Sequence, residues 1–324
     1  MLAQKRSVKV GGREVERTPL LVPSFSSKGF PDVDKIIRTT SEVLDGPALV
    51  SAYDLHYEHV KPPFEFATLL FLDSGGYEAG KDVELSDVGD RAHEPEKWST
   101  DMHAKTVRDW CPEVPTVLVG YDHPRNRCCF EAQVNRTLAM AWGHGDFARA
   151  ILLKPETEAQ NYIQIDEVLK KAHLLSQFQV IGITEKEIGN NILTRMVNIA
   201  RLRKRMNEVG LQEVPIHVFG SLDTISTPLY FLSGADIFDG LTWLRYAYRD
   251  GLTIYRHNYA ALDLSLGTKV HLVDGKCWFE NYYYLQSLQD EMRRFLLNGD
   301  FGCFRFHSEL FRTAYESLQE RLES

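Results

Sequence analysis

Eight short, nearly continuous apolar runs recur along this chain, and most alternate with amphipathic segments of helical period. The runs are Pro19–Ser24, Ala48–Tyr53, Leu69–Asp73, Thr116–Asp122, Arg149–Lys154, Gln179–Ile183, Ile216–Gly220 and Asp236–Leu241. A strand that is apolar on both faces must be covered on both, which is the environment of a parallel sheet wrapped by helices. The intervening helices are expected at Asp32–Leu44, Thr100–Trp110, Phe130–Trp142, Ile165–Ser176, Asn191–Glu208 and Thr224–Leu232. The clearest carries Ile192, Met196, Ile199 and Met206 on one face. Glu58–Glu65, with its Pro62-Pro63 pair, reads as a loop where a regular repeat would have a helix. The expected fold is α/β, an irregular (β/α)8 TIM barrel over residues 1–250. Residues 251–324 are expected to form a C-terminal helical appendage: a β-hairpin at Leu252–Val273 and helices at Glu280–Leu297 and His307–Leu322, packed on the barrel. No Gly-x-Gly-x-x-Gly follows any strand, which argues against a dinucleotide-binding open sheet.

Other bulk features narrow the class. The net charge of −8 argues against coating nucleic acid by charge alone but leaves room for a local basic face. No run of about 18 apolar residues exists, so no membrane span is expected. Five cysteines at irregular spacing do not make a disulfide framework, and a cytoplasmic protein is the expectation.

In a barrel of this kind the active site lies at the C-terminal ends of the strands. Read in order, those ends carry Ser24 and Ser26, Asp54, Asp73-Ser74-Gly75-Gly76, Asp122-His123, Lys154, Gly182 to Glu185, Gly220-Ser221 and Asp239. Single aspartates after strands often serve as helix caps or turn residues. Four at four strand ends point to chemistry, and a carboxylate pair flanking a sugar carbon fits glycosidic-bond cleavage, one attacking and one handling protons.

Asp73-Ser74-Gly75-Gly76-Tyr77 and Gly234-Ala235-Asp236-Ile237-Phe238-Asp239 resemble two motifs of the tRNA-guanine transglycosylase family. Thr18-Pro19 through Pro23, His217 through Gly220 and Arg245 fall in the family's order as well, over roughly residues 15 to 255. The resemblance implies a base exchange in which Asp239 attacks C1′ of a guanosine and Asp73 serves as general base for an incoming free 7-deazaguanine base. It implies base contacts from Tyr77, by stacking, and from Ser74, Asp122, Gly182, Ile183 and Gly220. Backbone contacts to the nucleic acid would come from Arg245 and Arg249. Where the family has Gly-x-x-Gln-Gly this chain reads Leu153-Lys154-Pro155-Glu156, and Trp243 stands in the run after the nucleophile. The family's Cys-x-Cys-x2-Cys zinc motif is absent. His271, Cys277, Cys303 and His307 remain as weak candidate ligands, and no cofactor is expected. These departures, with the short C-terminal part, resemble 7-deazaguanine DNA transglycosylases of the DpdA type, so DNA is slightly favoured over tRNA as target. A homodimer, or a pair with a partner protein, is compatible with the resemblance. A barrel hydrolase with water as acceptor and a non-catalytic nucleic-acid-binding subunit are the competing readings.

Residues with an ordinary structural explanation complete the reading. Arg201-Leu202-Arg203-Lys204-Arg205 reads as a solvated helix face. His217, inside a strand, reads as a core histidine, and Tyr282-Tyr283-Tyr284 as packing.

Overall fold

The computed structural model describes residues 1–80, 93–123, 125–140, 142 and 146–323. The chain opens with a hairpin, β1 (Ser7–Val10) and β2 (Arg13–Arg17). Its turn is Gly11-Gly12, both at positive φ, the conformation a two-residue hairpin turn requires. Eight strands follow: β3 (Leu20–Pro23), β4 (Ala48–Ser51), β5 (Leu70–Asp73), β6 (Thr116–Val119), β7 (Phe147–Leu153), β8 (Val180–Thr184), β9 (Ile216–Phe219) and β10 (Ile237–Gly240). They form one parallel sheet in the order β3-β10-β9-β8-β7-β6-β5-β4. The two outer strands meet through a parallel bridge between Ser24 and Leu49, with Phe25 N donating to Leu49 O at 2.9 Å. All eight strands coincide with the apolar runs.

The helices between them are α1 (Val33–Thr40), α2 (Ala52–His56), α3 (Thr100–Asp109), α4 (Phe130–Leu138), α5 (Ile165–Lys170), α6 (Ile192–Glu208) and α7 (Ser226–Leu232). A 3-10 turn at Ala172–Gln177 completes the expected Ile165–Ser176 helix. The Glu58–Glu65 segment is a loop. A short helix, α2, nevertheless begins directly after β4, where the Ser51 side chain caps it by accepting from Asp54 N.

Strand alternation divides the core. Leu20, Val22, Leu49, Phe71, Val117, Val119, Ala150, Val180, Phe219 and Ile237 fill the barrel interior, and Val8 and Val10 of the β1–β2 hairpin pack with them. The larger apolar layer lies between the strands and the surrounding helices. The hairpin was not among the expected elements, although Gly11-Gly12 between alternating residues is its sequence signal.

After β10 come α8 (Thr242–Arg245), β11 (Ala247–Arg249), β12 (Leu252–Ile254), α9 (Arg256–Asp263), α10 (Val270–Asn298) and α11 (Ser308–Glu323). The hairpin is thus β11–β12, turning at Asp250-Gly251 with positive φ at both, and not Leu252–Val273. Most of the latter stretch is helical. α10 lies along the seam where β3 and β4 meet. There Gln289 Oε1 accepts from Leu21 N at 2.8 Å, and Tyr282 Oη both donates to Asp45 Oδ1 at 2.6 Å and accepts from Asp45 N at 3.1 Å. The outermost strand of the sheet therefore satisfies part of its backbone through a side chain of the penultimate helix.

Candidate active site

The Gly234 to Asp239 string has two separate duties. Gly234 sits at φ +101°, and a Cβ there would come within 2.8 Å of the Arg203 side chain. Asp236 is buried at the start of β10 between two guanidinium groups, Arg6 at 2.7 Å and Arg203 at 2.5 Å, and also accepts from Ile216 N at 2.8 Å. Burial pushes the Arg203 guanidinium down to about 10. So Arg203 belongs to the core, which corrects the expectation of a solvated basic face. Its neighbours Arg201 and Arg205 are engaged by Asp166 and Glu208. Asp236 fixes the foot of the strand, and three residues later Asp239 faces the barrel mouth.

Asp239 has three polar partners. Ser24 Oγ donates to Oδ2 at 2.7 Å, His217 Nε2 lies 2.9 Å from Oδ1, and Gly220 N donates to Oδ1 at 3.3 Å. The Trp243 indole donates to Ser24 O at 3.1 Å and stands edge-on to Phe25 at 5.4 Å. Trp243 thereby braces the strand end that carries Ser24.

Asp73 is placed differently. It ends β5, is 9% exposed, and its Oδ1 is buried with no hydrogen-bond partner among the described residues. Burial first, and then the Asp122, Glu78 and Asp239 carboxylates, hold the Asp73 carboxyl well above the ordinary carboxylate range. Such a group holds its proton more tightly than an ordinary aspartate.

The glycines after Asp73 are explained by close approach. Gly75 has φ +84°, and a Cβ there would stand 2.6 Å from the Tyr53 side chain. A Cβ on Gly76 would stand 2.6 Å from Asp122 Oδ1. Without it, Ser74 Oγ reaches Asp122 and also accepts from Gly76 N at 3.2 Å. Asp122 in turn lies 3.4 Å from Lys154 Nζ, which also contacts Thr184 Oγ1 at 2.9 Å and Glu187 at 3.0 Å. Arg127 closes this chain of charges at 3.3 Å from Glu187. Asp122, Asn126, Arg127, Arg136 and Lys154 line a narrow pocket beside the mouth.

Glu78 is buried behind Tyr77 and bonded by Ser26 Oγ, while its Oε2 has no partner among the described residues. Burial, then Asp54, push it up to about 8. Asp54, itself raised by burial, accepts from Ser27 N at 2.9 Å. Tyr77 is tied at its hydroxyl by Arg245 at 2.9 Å and lies under the Lys28 ammonium, 4.3 Å from the ring centroid.

Thus the structure brings Asp73, Ser74, Tyr77, Asp122, Gly220, Asp239 and Arg245 to one end of the barrel. Gly182 also belongs there, but the Phe219 ring occupies the space beside it, 2.7 Å from where a Cβ would be. Ile183 is fully buried in the outer layer. Arg249 points elsewhere, paired with Asp263 at 2.8 Å and near Asp250 at 3.8 Å. The four zinc candidates do not gather: among the described residues no three His, Cys, Asp or Glu side chains form a metal-binding group. Cys277 is packed with Ala247, Tyr259 and Val273, its thiol pushed up to about 12 by burial. His307 Nε2 lies 2.9 Å from Gly251 O at the β11–β12 turn. His217 was assigned to the core from sequence. Its signal was present, since position 217 shares the inward phase of Phe219 on a strand beside the one bearing Asp239.

No family model matches the chain, and no curated protein matches it. No described helix is long and apolar enough to cross a membrane.

Proposed function

We propose that this protein is a guanine transglycosylase of the tRNA-guanine transglycosylase type, exchanging a guanine in nucleic acid for a free 7-deazaguanine base. The observation that carries the reading is the unlike treatment of two buried carboxyls at one barrel mouth. Asp239 is oriented by Ser24, His217 and Gly220, whereas Asp73 has a buried oxygen without a partner among the described residues and holds its proton more tightly than an ordinary aspartate. Glycosyl exchange needs one group of each kind.

In the first half-reaction an Asp239 oxygen bonds to C1′ as the C1′–N9 bond breaks. The electron pair leaves with guanine, which takes the proton from Asp73. In the second half the incoming base returns a proton to Asp73 as its N9 attacks C1′, and Asp239 leaves as carboxylate. Protons balance over the cycle, and no outside acid is consumed. Tyr77, braced by Arg245, supplies a stacking surface worth about 1–3 kcal/mol. Asp122, held by Ser74 and Lys154, accepts from the N–H edge of the base. The target nucleotide reaches this mouth only by leaving its stack. We take DNA as the polymer, with tRNA as the alternative substrate, and the cytoplasm as the place of reaction.

The test uses a labelled 7-deazaguanine with duplex DNA and, separately, tRNA, and trapping of the denatured covalent complex on a gel. Label is expected in nucleic acid with the unmutated protein and none with Asp239→Ala. Exchange at the unmutated rate in that variant sinks the proposal. Release of guanine without incorporation makes the protein a hydrolase instead.

A further inference from the structure

His217 is fully buried on β9, inside the barrel rather than behind it. Its ring stacks on Phe219 with centroids 3.8 Å apart and stands edge-on to Phe71 at 5.2 Å. One ring nitrogen, Nε2, meets Asp239 Oδ1 at 2.9 Å; the other, Nδ1, is buried with no hydrogen-bond partner among the described residues. A proton on Nδ1 would find no acceptor among the described residues, whereas a proton on Nε2 has a carboxylate oxygen to bond.

From this we infer that His217 is the positioning residue of Asp239, carrying its proton on Nε2 and thereby choosing which carboxylate oxygen reacts. The inference rests on the reading of Asp239 as nucleophile. Among the described residues Oδ1 accepts from His217 Nε2 and Gly220 N, and Oδ2 only from Ser24 Oγ. The less engaged oxygen, Oδ2, forms the bond to C1′, and Oδ1 becomes the carbonyl oxygen of the ester. While that ester stands, the His217 bond is one between neutral groups. When the carboxylate re-forms, the bond is charge-assisted and about twice as strong. His217 therefore favours the departure of Asp239, the step that delivers the product, more than it favours binding of either substrate.

Two substitutions separate this role from packing. Gln places an amide nitrogen near the position of Nε2; Leu fills the space without a donor. His217→Leu is expected to lower kcat for guanine exchange about 10- to 100-fold, the range for a hydrogen bond to a charged group, with KM for the base nearly unchanged. The covalent complex should accumulate in this variant, and His217→Gln should recover most of the rate. A measurement independent of turnover and of any substitution is 15N NMR of the unmutated protein without substrate. It should show the ring protonated at Nε2 and bare at Nδ1. An Nδ1-protonated ring, or a folded Leu variant that turns over at the unmutated rate, overturns the assignment of His217 while leaving the transglycosylase reading standing. Absence of exchange by the unmutated protein on both DNA and tRNA overturns that reading and the assignment with it.

Discussion

Asp73 and Asp239 are inward-facing carboxylates on strands of the same sheet, yet their surroundings treat them oppositely. Ser24, His217 and Gly220 fix one, while burial and three neighbouring carboxyl groups favour the protonated form of the other. This difference has a kinetic signature. kcat/KM for the nucleic acid reports the first half-reaction on the free enzyme, which requires the proton on Asp73. The rate constant is expected to decline as pH rises through the raised value of Asp73, far above the range where an ordinary aspartate titrates. Asp73→Asn, which can neither give nor take that proton, is expected to lose about 10²–10⁴-fold in exchange with the alkaline limb abolished. A pH–rate profile of the two proteins checks both points. The pair itself was legible in the sequence because an apolar run ending in a carboxylate is unusual. The donors around Asp239 were not. Ser24, His217 and Gly220 come from two other strands, and only the closed barrel brings them to it.

The strands and most helices were legible for a plain reason. Most barrel strands are buried on both faces, so the apolar run is nearly unbroken and bounded by polar or glycine residues. The C-terminal part was harder. α9 and the first turns of α10 pack only a small cluster, Tyr259, Val273 and Cys277 against Ala247, so their apolar stripe is too thin to give a helical period. The Asp250-Gly251 turn signal lay just ahead of the expected hairpin. What no local pattern reveals is that α10 is also part of the barrel wall, because its contact with the seam is set by residues at the other end of the chain. Gln289→Leu is expected to leave Leu21 N without its partner and to cost about 1–3 kcal/mol. Urea denaturation measures this, and an unchanged midpoint would show that the seam is held by packing alone.

At the scale of the whole molecule, the acids of the site tax stability. Glu78 is pushed from 4.5 to about 8 by burial and by Asp54. A carboxyl that holds its proton more tightly when folded makes folding less favourable as pH rises from the unfolded value toward the folded one. Stability is therefore expected to fall between pH 4.5 and about 8 and to level off above that. Glu78→Gln should flatten this part of the curve and raise stability on its alkaline side, as seen in urea midpoints taken on either side of the window. An equal slope in the variant would assign the pH dependence to other groups.

The seam between β3 and β4 also governs how the molecule can be made. Leu21 and the Gln289 side chain that completes its hydrogen bonding are 268 positions apart in the chain. At about 5–20 residues per second, a ribosome needs roughly 15–50 s to travel between them. For most of that interval the first barrel strand has emerged, its partner β10 does not yet exist, and its edge can pair with whatever is near. Through that interval this chain must stay out of aggregates, and the helix that releases it from that danger is made 268 residues after the strand it covers.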